Sequence, residues 1–197
     1  MWRADPPPPP EGAPRKAANT RVERGESEGL LTLDSDGDDF SGTLFPPAPE
    51  EAMELLGMAA RSWDDTERAL GYLLEADRLY GAHLPVVVGF YKFLFYKGRL
   101  REAIPIAKRA AGIMAGRIGL PARFEDVGVN DAPFSDYAAG PRFYLFAMKA
   151  VGYLHARLGE TERGLEVLER VRALDRRDLL GVDRLIEVLH RGGREDE

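Results

Sequence analysis

GRLREAIPIAKRAA (98–111) and GETERGLEVLERVRAL (159–174) share a spacing that decides the fold. Each opens on a glycine and reaches a small residue five positions later, Ala103 or Gly164. An aliphatic residue comes next, and a small or aliphatic one six after that, Ala110 or Val171. Sliding the chain by 34 residues places Ala69 on Ala103, Ala76 on Ala110, Leu56 on Phe90 and Leu70 on Ile104. Ala110 and Val171 are 61 residues apart, one such period plus the 27 residues of 116–142. Apolar residues recur three and four apart in EAMELLGMAAR, TERALGYLLEADRLYG, VVVGFYKFLFYKG and LREAIPIAKRAAGIMA, which is the period of an α-helix. No segment sustains the alternation of a strand.

The chain therefore reads as all-α: antiparallel helix–turn–helix units at about 50–82, 83–115 and 143–176, an insertion loop at 116–142 and a capping helix at 177–191. Gly81, Gly98, Gly116, Gly159 and Gly192 fall where helices should end. After the loop, helices are expected at 143–158, 160–174 and 178–190. Pro105, inside the second helix of the middle unit, should remove one backbone hydrogen bond and bend that helix.

Residues 1–49 differ from the rest. They hold nine of the fourteen prolines, including Pro6–Pro10, and few aliphatic side chains, so burial cannot offset the entropy of ordering them. A disordered tail is expected, with polyproline II character at the proline run. Glu26 to Asp39 carries six carboxylates and no base around Leu30, Leu31 and Leu33. That pattern suits either a solvated linker or a docking peptide that orders on binding. Residues 192–197 form a short acidic C-terminal tail.

Composition removes whole classes of chemistry. With no cysteine, disulfides, Cys-ligated zinc, iron–sulfur clusters and thiol nucleophiles are excluded. A net charge of −6 disfavours a general polyanion binder, so RNA binding through the basic helix faces ranks behind the other readings. The N-terminus MWRADPPPPPEG lacks the apolar core of a signal peptide. The run LPVVVGFYKFLFY (84–96) is too short to span a bilayer and contains Lys92. A cytoplasmic protein is expected, and the excess of Arg over Lys suits a GC-rich bacterial genome.

Motifs for catalysis are equally scarce. No GxxxxGK[ST] or GxGxxG loop is present, and Phe40-Ser41-Gly42 lacks the frame of a nucleophile elbow. His83, His155 and His190 are scattered, and His155 falls on the packing side of its helix. LDSDGDDF (33–40) departs from a calcium loop, because Thr43 stands where the last Glu ligand belongs. No catalytic, cofactor-binding or metal-binding residue is assigned, and no cofactor is implied.

The Leu56-Gly57 and Val151-Gly152 pairs, with the small pairs Ala69/Ala76, Ala103/Ala110 and Gly164/Val171, resemble the tetratricopeptide repeat family. That repeat is a 34-residue helix–turn–helix. The resemblance covers about 50–116 and 142–176. Departures are Tyr91 at a small-glycine site, Met53, Val87 and Met148 at a tryptophan-like site, and the missing terminal prolines. The resemblance implies a short right-handed superhelix whose concave face, lined by the first helix of each unit, binds a peptide or protein segment. Family groove positions fall on Glu54, Met58 and Arg61, on Val88, Lys92, Phe95 and Tyr96, and on Lys149, Tyr153 and Arg157.

This basic and aromatic set implies an adaptor, assembly factor or small chaperone that takes an acidic or C-terminal carboxylate ligand. The Asn residues of the family's carboxylate clamp are absent. The acidic stretch Glu26–Asp39 could reach such a groove in cis. In the insertion, Arg123, Phe124, Asp126, Asn130, Asp131, Asp136 and Tyr137 could form a lid or a partner-specific contact. The second reading, a small-ligand protein or enzyme, places its site under the insertion and uses its carboxylates. Phe124, Phe134 and Tyr137 could alternatively serve only as anchors.

Overall fold

The computed structural model describes residues 46–192. The expectations for 1–45, including docking of Glu26–Asp39, and for the tail 193–197 lie outside the described residues. Among those described, the chain is all-helical, with seven α-helices and no strand. They are α1 (Glu50–Arg61), α2 (Thr66–Tyr80), α3 (Leu84–Tyr96), α4 (Leu100–Ile118), α5 (Ala139–Arg157), α6 (Thr161–Leu174) and α7 (Val182–His190). Pairs α1–α2, α3–α4 and α5–α6 form hairpins across short turns, and α4 packs most extensively against α5. Helix α7 covers α6.

Local chemistry sets several helix ends. Pro49 precedes α1, and Glu50 and Glu51 place negative charge at its N-terminus. The Asp65 carboxylate accepts from the Arg68 N–H at 3.1 Å, capping α2. Pro85 sits in the first turn of α3, where its missing N–H costs nothing.

The insertion is shorter than 116–142. Gly116 lies inside α4, which continues to Ile118, and Gly119 at φ 74° ends it instead, because only a residue tolerating the left-handed region closes that turn. At the other end α5 begins at Ala139, ahead of Pro141, which falls in the first turn and so does not obstruct it. Helix α4 also runs through Pro105 without ending. The capping helix starts later than 178. Asp178 adopts φ 48°, and its carboxylate accepts from the Val182 N–H at 2.5 Å, holding 178–181 as a turn.

Small residues pack where the spacing places them. Ala69, Ala76, Ala103, Ala110, Gly164 and Val171 are all buried. The tightest approach is α5 against α6. A Cβ added to Gly152 would lie 2.7 Å from Leu168 Cγ, and one on Gly164 would lie 2.9 Å from the Gly152 carbonyl oxygen. In the first unit the glycine is not used this way, since a Cβ on Gly57 would meet only the Arg61 side chain.

The wet face of α4 also does more than meet solvent. Arg109 bonds the Asp77 carboxylate on α2, and Arg101 bonds Glu160 Oε1 at 2.9 Å. These two bases tie α4 to α2 and to the α5–α6 turn.

Candidate functional site

A row of aromatic rings crosses the C-terminal end of α3. Trp63, in the turn after α1, meets Phe93 edge-on at 5.6 Å between centroids and Tyr96 at 6.4 Å. Tyr96 meets Phe95 at 5.3 Å, and Phe95 reaches Tyr153 of α5 at 6.4 Å. Trp63 and Tyr96 are 40% and 44% exposed, so the row presents ring surface to solvent. Cations flank it at both ends. Lys97 Nζ stands 4.6 Å from the Trp63 ring centroid, and the Arg157 guanidinium lies 5.7 Å from the Tyr153 centroid. Arg157 also donates to the Tyr153 hydroxyl at 2.9 Å. Partly buried Lys92 lies on α3, one helical turn before Phe95 and Tyr96.

The structure thus brings together Phe95, Tyr96, Tyr153 and Arg157 from the expected groove set. Arg61 is exposed two residues before Trp63, with its guanidinium beside Gly57. Glu54 is exposed on α1, while Met58 and Val88 are half-buried.

Lys149 does not belong to the groove. It is 4% exposed, and its Nζ donates to the Leu180 carbonyl under the segment leading to α7. Burial lowers its pKa, against the opposing pull of Asp178 and Asp175. The segment leading to α7 covers that side of α5, so packing claims Lys149. Trp63 and Lys97 belong to the row but not to the expected set. The signal that could have found them is that they stand 34 residues apart, at equivalent turns of successive units.

Tyr91 lies beneath the row, stacked on Phe95 at 6.1 Å and 5% exposed. Its hydroxyl is buried and has no hydrogen-bond partner. Burial, and then the neighbouring phenols of Tyr153 and Tyr96, push that hydroxyl well above the usual phenol range.

The insertion is anchored onto the helices. Phe134 is buried and packs on Tyr144, which Phe124 meets edge-on at 6.1 Å. Arg170 of α6 donates through Nη2 to the carbonyls of Glu125, at 2.6 Å, and Val127, at 2.8 Å. Asp131 accepts from the Gly128 N–H at 2.7 Å and closes a turn. Arg123 pairs with Glu125 at 3.5 Å and Asp126 at 3.8 Å on the surface. Asn130 and Asp136 are exposed. Tyr137 is not buried; it is 68% exposed, with the Arg142 and Arg177 guanidinia 5.2 and 5.8 Å from its ring centroid.

Beneath the insertion runs a cleft of about 460 Å³ lined by Lys108, Phe124, Glu125, His155, Arg163, Glu166, Val167 and Arg170. At one end His155 Nδ1 donates to Glu160 Oε2 at 2.7 Å. The hydrogen bond from His155, then the Arg101 guanidinium, hold the Glu160 carboxyl below its usual range.

The chain is 39% identical over 119 residues to the "Uncharacterized 19.8 kDa protein in nifW 5'region" of Azotobacter chroococcum, covering 59% of this chain and 67% of that one. It belongs to the same family as that protein. No family model matches the chain, and no solved structure matches it. Among the described residues, no helix is long and apolar enough to cross a membrane.

Proposed function

We propose that this protein is a cytoplasmic interaction module of tetratricopeptide type that binds an acidic protein segment along the ring row of α3. The observation that carries the reading is the cation-flanked ring row, exposed at Trp63 and Tyr96 and running through half-buried Phe95 to buried Tyr153 and exposed Arg157. Ring faces supply contact area at low entropic cost, and the flanking cations steer acidic chains toward it.

Because the relative's gene lies in the 5′ region of nifW, the nifW product is the first partner to test. The acidic stretch Glu26–Asp39 is the candidate occupant in cis. Trp63 is one of two tryptophans, so a Trp2→Phe chain reports on the site by fluorescence. Titration with a 26–39 peptide should quench Trp63 saturably, more tightly after deletion of 1–45, and Tyr96→Ala should weaken binding about tenfold or more. Equal, non-saturating responses to acidic and neutral peptides would remove this reading.

A further inference from the structure

The cleft beneath the insertion shares no lining residue with the ring row and is built by four elements: α4, the turn Phe124–Asp126, α5 through His155, and α6. Its volume of about 460 Å³ is that of a small-molecule site. Its walls are charged but unevenly paired. Glu125 is drawn toward its own backbone N–H and Arg123, which hold its carboxyl below the usual range. Glu160 is engaged by His155 and Arg101, with Arg163 at 3.7 Å. Arg170 spends Nη2 on two loop carbonyls, while its Nε is buried with no hydrogen-bond partner. Lys108 stands exposed on α4 near Glu125. Glu166, one helical turn from both Arg163 and Arg170, is the remaining acid of the lining.

The lining also separates by character. Phe124 and Val167 give an aromatic edge and an aliphatic wall, while Lys108 and Arg170 bring positive charge beside them. His155 offers Nε2, since Nδ1 carries the proton given to Glu160.

We propose that this cleft binds a small organic oxyanion: its anionic group between Lys108 and Arg170, its flat or apolar body against Phe124 and Val167. The lining sets three cations, Lys108, Arg163 and Arg170, against two carboxylates, Glu125 and Glu166, and an anion there would offset the excess. Phosphate and carboxylate groups share this chemistry, and the probes distinguish them.

Phenyl phosphate, benzoate and inorganic phosphate should be titrated into the full chain by calorimetry, with amide shifts mapped by NMR. Phenyl phosphate or benzoate should bind saturably, at least fivefold tighter than inorganic phosphate, with shifts in α4, 124–127 and α6. The tighter of the two names the anion. Lys108→Ala should weaken binding at least fivefold, and Glu166→Gln should tighten it at least twofold. Both positions are exposed, so neither variant compromises the fold. Phe124→Leu should narrow the preference over inorganic phosphate. Unsaturable binding of both aromatic anions, or affinities unmoved by Lys108→Ala and Glu166→Gln, would overturn the proposal. The 26–39 peptide should bind the Lys108→Ala chain as it binds the wild type, so failure of either site leaves the other readable.

Discussion

Lys97 Nζ donates to the Trp63 carbonyl at 2.7 Å, across 34 residues of chain. The two residues hold equivalent places in the turns of successive hairpins, so one repeat length becomes one hydrogen bond. The same ammonium stands over the Trp63 ring, joining α1's turn to α3's end. Lys97→Met keeps the stem but loses both contacts, and should cost about 1 kcal/mol, the scale of an exposed cation–π contact with its hydrogen bond. Urea unfolding of the Trp2→Phe chain, followed by Trp63 fluorescence, measures it. Wild-type stability in that variant would show that the contact contributes nothing.

Gly152 and Gly164 face each other across α5 and α6 with no room for a methyl group. Gly152→Ala forces a Cβ to within 2.7 Å of Leu168 Cγ, and Gly164→Ala forces one to within 2.9 Å of a carbonyl oxygen. Each should destabilise the protein by about 1–3 kcal/mol through overpacking. Gly112, inside α4, has open space within 4 Å of where a methyl group would stand. Gly112→Ala should therefore stabilise by about 0.5–1 kcal/mol, from backbone entropy alone. Thermal unfolding of the three variants tests the contrast, and three changes of one sign would contradict it.

Helix period and the spacing of small residues made the three hairpins legible, because close packing of Ala and Gly leaves a direct mark on the chain. The ends of the insertion were less so. Gly116 and Gly119 look alike in sequence, and only the backbone conformation tells which stops α4. Lys149 illustrates the larger difficulty. Its position on α5 suited a groove, but what covers α5 depends on the turn that Asp178 sets before α7. Trp63 escapes a reading by helical periodicity because it sits between helices, and only its 34-residue offset from Lys97 marks it. The cleft is equally hidden, since Lys108, Phe124 and Val167 come together only through tertiary packing.

Alkaline pH should reveal the two buried phenols. Tyr144 is pushed up to about 12 by burial, with Glu125 adding to the shift and Arg170 opposing it. Tyr91 is also raised, for the same leading reason. The unfolded chain loses these protons near pH 10, whereas the folded chain keeps them. The native state then binds more protons, and stability falls as pH rises above 10. Tyr91→Phe removes an unpaired buried hydroxyl, so it should raise stability by about 1 kcal/mol at neutral pH. It should also flatten the decline between pH 10 and 12, leaving the part due to Tyr144. A decline of unchanged slope would show that Tyr91 is not the group responsible.

Acid should weaken the junction of α4, α5 and α6. Glu160 receives His155 Nδ1 at 2.7 Å and Arg101 at 2.9 Å, so one carboxylate joins three helices. Its folded pKa is depressed, chiefly by the histidine hydrogen bond. The unfolded carboxyl therefore takes up its proton first as pH falls. By linkage, the stability it contributes is fully present above the unfolded value near 4.3 and is lost as pH drops through the folded one. Glu160→Gln should lower neutral-pH stability and weaken the dependence between pH 5 and 3, bringing the wild-type and variant curves together at the acid end. Urea midpoints at half-unit pH steps give both curves. Parallel curves across that range would mean that the Glu160 carboxylate is not the acid-sensitive bond holding the last hairpin to α4.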